Sequence, residues 1–215
     1  MIITIDGPAG VGKTTISLAV AEKMKVAYLD SGAMFRGLAL ALGSGSWNWP
    51  LNRLREALEG FCFSLHGIGG TSRLLLNNKP LSEAIRTETI GVWASHLGRI
   101  PLIRDKLKKA QQELGREKDL LAEGRDMGTV IFPQADYKFF LEADPAERAK
   151  RRWLQLRAMS VEADLEELVK DMRLRDEQDR TRPIAPLFPA PEAFILETTS
   201  MTQKEVIAAI LARMA

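Results

Sequence analysis

Apolar positions along this chain switch between two spacings, and the switches mark its elements. Ile2, Ile3 and Ile5 make Met1 to Asp6 a short apolar run, which predicts a buried strand, and the amphipathic segment Thr15 to Lys25 follows with helical spacing. Val26 to Asp30 reads as a second strand, ending in the turn Asp30-Ser31-Gly32, and helical spacing runs from Ala33 to Leu42. Gly43 to Pro50 is a loop, and Leu51 to Gly60 predicts a short helix. There the pattern changes. Phe61 to His66 and Arg73 to Asn77 predict two strands around Gly67-Ile68-Gly69-Gly70, a hairpin signal. Helical spacing resumes from Ser82 to Leu97 and from Leu102 to Leu114, and Leu120 to Glu123 and Lys138 to Leu141 read as buried strands. Asp144-Pro145-Ala146-Glu147 supplies a cap, a proline at the first helical position and a supporting acid. Phe194 to Glu197 is a last strand, and Thr202-Gln203-Lys204-Glu205 is a capping box that opens the terminal helix.

Alternation of strands and helices predicts an α/β fold, with a parallel sheet and ligands at the carboxyl ends of its strands. A hairpin is foreign to a parallel sheet, so residues 61 to 79 read as an insertion. With 215 residues and 46% hydrophobic content, the chain can fill one core with a small inserted subdomain. Lys+Arg 30 against Asp+Glu 28 leaves a formal charge of +2, too balanced for a general nucleic-acid coat. Cys62 is the single cysteine, so no intrachain disulfide can form, and its neighbours Phe61 and Phe63 predict a small buried hydrophobe. His66 and His96 are too few and too far apart to suggest zinc. The first strand starts without a charged, long apolar leader, and no apolar run could span a bilayer, so a reducing cytoplasm is the expected location.

The chemistry begins at Gly7-Pro8-Ala9-Gly10-Val11-Gly12-Lys13-Thr14, a phosphate-binding loop between the first strand and the first helix. Its glycines let the backbone curl so that successive N–H groups point at phosphate oxygens. Lys13 is placed to reach β- and γ-phosphates, and Thr14 to ligate Mg²⁺. The alternative is a glycine-rich turn without a ligand. A switch GTPase would carry Asn-Lys-x-Asp for guanine, but Asn78-Lys79 is followed here by Pro80-Leu81. What the chain does carry is arginine beside acids or hydroxyls. These groups are Asp30-Ser31 with Arg36, Glu123-Gly124-Arg125-Asp126, and the run Arg175 to Arg182. Arginine forks bind phosphates bidentately, and carboxylates take ribose hydroxyls or base amino groups, so the set suits two phosphorylated ligands. Taken singly, each group reads as a solvated ion-pair cluster; all of them in one phosphate-loop chain favour the functional reading.

Over essentially its whole length the chain resembles the bacterial cytidylate kinases, a nucleoside monophosphate kinase family. The resemblance rests on Ile5-Asp6-Gly7-Pro8-Ala9-Gly10 with Gly12-Lys13, Leu29-Asp30-Ser31-Gly32-Ala33 with Arg36, and Glu123-Gly124-Arg125-Asp126-Met127-Gly128-Thr129-Val130 with Phe132-Pro133. Arg175-Asp176, Asp179-Arg180 and Ala185-Pro186-Leu187 add to it. The departures are Glu123, where the family often has aspartate, and an abbreviated loop around Trp47 and Trp49. The resemblance implies a P-loop three-layer sandwich with an inserted monophosphate-binding subdomain and a lid. It divides residues 1–215 as one kinase domain: a core of 1–30, 98–147 and 183–215, a monophosphate-binding region 31–97, and a lid with its following helix 148–182.

The same resemblance implies ATP-dependent phosphorylation of CMP, with dCMP as a further substrate, in pyrimidine metabolism. Ser95, Arg104 and Asp126 match positions that read cytosine. Ser31 belongs to the acceptor set. Arg36, Arg125 and Arg182 match positions that hold the monophosphate, and Arg175 and Asp179 match those at the ribose. Gly7 to Thr14 with Thr15 would cradle ATP, and Arg151 in the basic segment Arg148 to Arg157 would reach it from the lid; a solvated helix face is the other reading of that segment. Lys13, Arg125 and Arg182 would stabilise the transferring phosphoryl group, while Thr14 and Glu123 would serve Mg²⁺. A monomer acting on nucleotides, with no nucleic-acid or membrane partner, is expected. A kinase for UMP or a small metabolite, and an ATP-driven switch protein, remain as alternatives.

Overall fold

The computed structural model describes residues 1–214; Ala215, the last residue of the expected single domain, lies outside the described residues. In chain order the elements are β1 Ile2–Asp6, α1 Lys13–Met24, β2 Ala27–Asp30, α2 Ser31–Leu42, α3 Leu51–Glu59, β3 Phe63–His66, β4 Arg73–Leu76, β5 Lys79–Pro80, α4 Glu88–Leu97 and α5 Pro101–Glu117. They continue with β6 Leu120–Gly124, β7 Tyr137–Glu142, α6 Pro145–Ala158, α7 Leu165–Thr181, β8 Phe194–Glu197 and α8 Gln203–Met214. Five strands pair in the order β2-β6-β1-β7-β8, with β1–β7 and β7–β8 parallel. A sequence order of this kind requires crossover connections, which the helices supply. Every residue of β6 is buried, as are Ile3, Ile5, Phe139, Phe140 and Leu141. Strands covered on both faces read as continuous apolar runs rather than alternations, which is why these strands stood out in the sequence.

The chain divides into two compact units. The first, Met1–Ile2 with Ala21–Ala122, holds β2 and the small antiparallel sheet β3-β4-β5. Its hairpin pairs Phe63 with Leu76 and His66 with Arg73, within the two strands predicted for residues 61–66 and 73–77. A third strand, β5, was not predicted: Lys79–Pro80 is too short to give a pattern. The predicted helix Ser82 to Leu97 is two pieces, a 3₁₀ turn Glu83–Arg86 and α4. Thr87 divides them, because its side chain accepts from the N–H of Ile90 and starts a new helix. Cys62 corrects a second expectation, being exposed rather than buried. Phe63 and Leu65 take the inward positions of β3, so strand alternation leaves Cys62 and Ser64 on the other side.

The second unit, Ile3–Val20 with Glu123–Ala215, holds the phosphate-binding loop and the strands beside it. Gly7 has φ +151°, and a Cβ there would lie 2.3 Å from the carbonyl oxygen of Leu141, so only glycine allows β7 this close. Asp144 caps α6 by accepting from the N–H groups of Ala146 and Glu147, as predicted, with Pro145 at the first helical position. The capping box of α8 is also formed: Thr202 donates its N–H to Glu205, and its hydroxyl accepts from the Glu205 N–H.

Candidate active site

The phosphate-binding loop ends where α1 begins, and the first turn of α1 contains no acidic residue to repel an anion. Gly10 and Gly12 have φ +74° and +97°, the left-handed conformations that curl the loop. Lys13 is buried and folds back onto the loop, donating to the carbonyls of Gly7 at 2.8 Å and Pro8 at 2.7 Å. Burial, helped by the neighbouring Arg125, brings the Lys13 ammonium down to about 7, against the opposing pull of Glu123, Asp6 and Asp179. One residue on, the Thr14 hydroxyl donates to Glu123 Oε1 at 2.7 Å. A hydroxyl and a carboxylate at the mouth of the loop are hard oxygen donors that fit Mg²⁺, which keeps waters and substrate phosphates as its remaining ligands. Among the described residues no group of three or more His, Cys, Asp or Glu could cage a metal by itself.

Just beyond β6 the chain collects charge. Arg125 Nε donates to Asp179 Oδ2 at 2.7 Å, Arg182 Nη1 lies 3.8 Å from Asp179 Oδ1, and Arg182 Nη2 lies 3.4 Å from Asp126 Oδ1. The side chains of Arg125, Asp179 and Arg182 are each about one-fifth exposed, so the cluster is shielded yet reachable. Burial acts to raise the Asp179 carboxyl, but Arg125, Arg182 and Arg175 outweigh it and hold the group below the usual carboxylate range. Of the ribose pair the sequence predicts, Arg175 is exposed on α7, and the structure gives Asp179 to Arg125 as its hydrogen-bond partner.

The predicted acceptor residues of the first unit sit on three helices. Ser31 opens α2, where Asp30 caps the helix through the N–H of Ala33, and Arg36 stands half-buried one turn later. Ser95 is exposed on α4, which packs against α2. Arg104 in α5 is buried, donates to the Gly98 carbonyl at 3.1 Å and lies 5.7 Å from the ring centre of Phe35. In the loop between α2 and α3, Trp47 stacks on His96 at 4.8 Å.

Two residues of the second unit carry contacts that the sequence did not announce. Arg148, at the head of the basic segment, is 1% exposed. Its guanidinium donates to the carbonyls of Ala143 and Ala9 and forms an ion pair with Asp176 of α7. Arg151 donates to the carbonyls of Thr198 and Thr199 and pairs with Glu147, while Arg152 is exposed. The other is Asp6, whose carboxylate accepts from the N–H groups of Met127 and Gly128. A single acid ending an apolar strand was the one available signal for it.

The family model described as cytidylate kinase matches residues 3–215. This chain belongs to the cytidylate kinase family. It is 52% identical to the cytidylate kinase of Maridesulfovibrio salexigens across 93% of this chain and 90% of that one. It is 49% identical to that of Oleidesulfovibrio alaskensis, across 100% and 98%. The Pectobacterium carotovorum cytidylate kinase is 41% identical across 98% and 94%. In fold the chain is similar to the crystal structure of an uncharacterized protein from Eubacterium ventriosum, with TM-score 0.53 and 11% identity over 99% of this chain and 97% of that one. It is likewise similar to a Thermus thermophilus structure, with TM-score 0.50 and 17% identity over 100% and 98%.

Proposed function

We propose that this cytidylate kinase family member transfers the γ-phosphoryl group of ATP to CMP, and to dCMP as a further substrate, giving CDP or dCDP and ADP. A phosphate oxygen of CMP attacks the γ-phosphorus in line; the new P–O bond forms as the bond to the β,γ-bridging oxygen breaks and ADP leaves with the electron pair. The attacking oxygen is already ionised at neutral pH, so no general base is needed. Alignment and charge neutralisation supply the rate.

Each residue then has a task. The loop from Gly7 to Thr14, with Thr15, binds the ATP phosphates through its backbone N–H groups. Lys13 turns from the Gly7 and Pro8 carbonyls to the γ-phosphate. Thr14 and Glu123 would hold Mg²⁺, which would supply charge neutralisation to the ATP phosphates. Arg36, Arg125 and Arg182 grip the CMP phosphate. Asp126 accepts from the cytosine amino group, with Ser95 and Arg104 donating to the ring nitrogen and carbonyl. Uracil offers a carbonyl where cytosine has its amine, and a carboxylate rejects it. Arg175, Asp179 and Ser31 complete the acceptor set, and the segment 148–182, with Arg151, serves as the lid that keeps water from ATP.

The single observation that carries this reading is the gathering of Lys13, Thr14, Glu123, Arg125 and Asp179 around one phosphate-binding loop. Removing the charge that touches the transferring group tests it. Lys13→Ala should lower kcat by roughly three orders of magnitude with CMP affinity nearly unchanged, measured by steady-state transfer and CMP titration. Turnover close to that of the wild type would remove Lys13 from the phosphoryl-transfer role.

A further inference from the structure

We infer that Asp6 is a positioning residue for the acceptor nucleotide, holding the turn that carries Arg125 and Asp126 by capping it from a distant strand. The inference rests on the roles proposed above for Arg125 and Asp126. After β6 the chain passes through Arg125 and Asp126 and enters a five-residue π-helical turn, Met127–Ile131. The first N–H groups of any helical segment lack partners within it, and an Asp at the N-cap position ordinarily satisfies them with its own side chain. Asp126 occupies that N-cap position, with φ −143° and ψ 22°, and makes no side-chain capping bond.

The cap comes from elsewhere. Asp6 Oδ1 accepts from the Met127 N–H at 2.9 Å and Oδ2 from the Gly128 N–H at 2.8 Å, across more than a hundred residues of sequence. The Asp126 carboxylate is thereby relieved of capping and stands near Arg182 instead. Gly128 shows how closely the turn rests on β1: a Cβ there would meet Thr4 Oγ1 at 3.0 Å, Ala190 Cβ at 3.4 Å and Asp6 Oδ2 at 3.5 Å.

The chemistry of Asp6 argues against a purely stabilising role. The carboxylate is 4% exposed, and burial, with Asp126 adding to it, pushes its pKa up to about 6 despite the two N–H bonds and Lys13. A neutral acceptor would cap the turn without desolvating a charge. What an ionised carboxylate adds is two acceptors of equal strength, one for each N–H, and so a fixed turn.

Asp6→Asn tests this, because the amide keeps the shape but sets an NH₂ against one of the two N–H groups. The expected result is a KM for CMP raised roughly tenfold or more, with the CMP:UMP ratio of kcat/KM compressed about fivefold and the KM for ATP within about threefold. Gly128→Ala pushes the same turn off β1 while leaving Asp6 in place, and it should give the same signature if the first variant does not fold. Asp126→Asn is run beside them as the control on the reading itself. An unchanged CMP:UMP ratio in Asp126→Asn would remove the base-reading role, and this inference with it. A ratio compressed in Asp126→Asn but unchanged in both other variants, or an equal rise in KM for ATP and CMP, would overturn the role of Asp6 alone.

Discussion

At the scale of single residues, the second unit keeps charges where stability alone would not place them. Asp6 and Lys13 are both buried, and burial displaces each from its ordinary pKa, the acid upward and the base downward. For Asp6 this makes a prediction with a definite sign. Its carboxyl moves from 3.8 to about 6 on folding, so the folded chain holds the proton more tightly. The resulting support for the fold is complete below pH 3.8 and is lost as pH rises through about 6. Asp6→Asn abolishes that titration. The unfolding free energy of the variant relative to the wild type should therefore improve by about 2 kcal/mol between pH 4 and pH 8, read from urea denaturation at each pH. A difference that stays flat across this range would contradict an acid held near pH 6.

At the scale of elements, Arg148 decides how α7 is held within the second unit. One guanidinium binds the loop carbonyl of Ala9, the end of β7 through Ala143, and Asp176 of α7. Asp176 and Asp179 are three residues apart on α7, so the same tie also places the partner of Arg125. Arg148→Met should lower stability by roughly 3 to 5 kcal/mol in denaturant unfolding, because it strands a shielded carboxylate, and adding Asp176→Leu should restore most of that loss. A single variant within about 1 kcal/mol of the wild type would show the pair to behave as an exposed one.

Arg148 also shows where sequence reading stops. The cap Asp144, the proline after it, the capping box at Thr202 and the apolar strands were all legible, because local backbone chemistry decides them. The arginine-rich segment gave only charge, and charge does not tell a solvated lid face from a buried tie. Thr87 was hidden for a related reason: helical spacing continues through it, and only the geometry of its capping bond reveals the break. Asp6 and Met127 are joined across the fold, beyond the reach of any local pattern.

At the scale of the whole molecule, the phosphate-binding loop was legible as a short motif between a strand and a helix, and the Glu123-Gly124-Arg125-Asp126 run as acids beside an arginine; the structure sets Glu123 against Thr14 and Arg125 against Asp179. The α/β fold followed from element order alone, and the parallel pairing of β1, β7 and β8 agrees with it. Family membership narrows the choice among P-loop enzymes to cytidylate kinases. Choice of acceptor is the central claim, and it is a difference between nucleotides rather than a property of one. The most direct measurement is therefore ADP release with ATP as donor and CMP, dCMP, UMP and AMP as acceptors in parallel, compared as kcat/KM. CMP should be the best acceptor and dCMP the next, with UMP lower by roughly a hundredfold or more, since a site built around a carboxylate leaves a buried polar group opposed when the base amine is missing, and AMP lower by a similar factor, since the larger purine ring carries its amine to a different place. Equal efficiency with UMP or AMP, or tight ATP binding with transfer to none of the four, would contradict it.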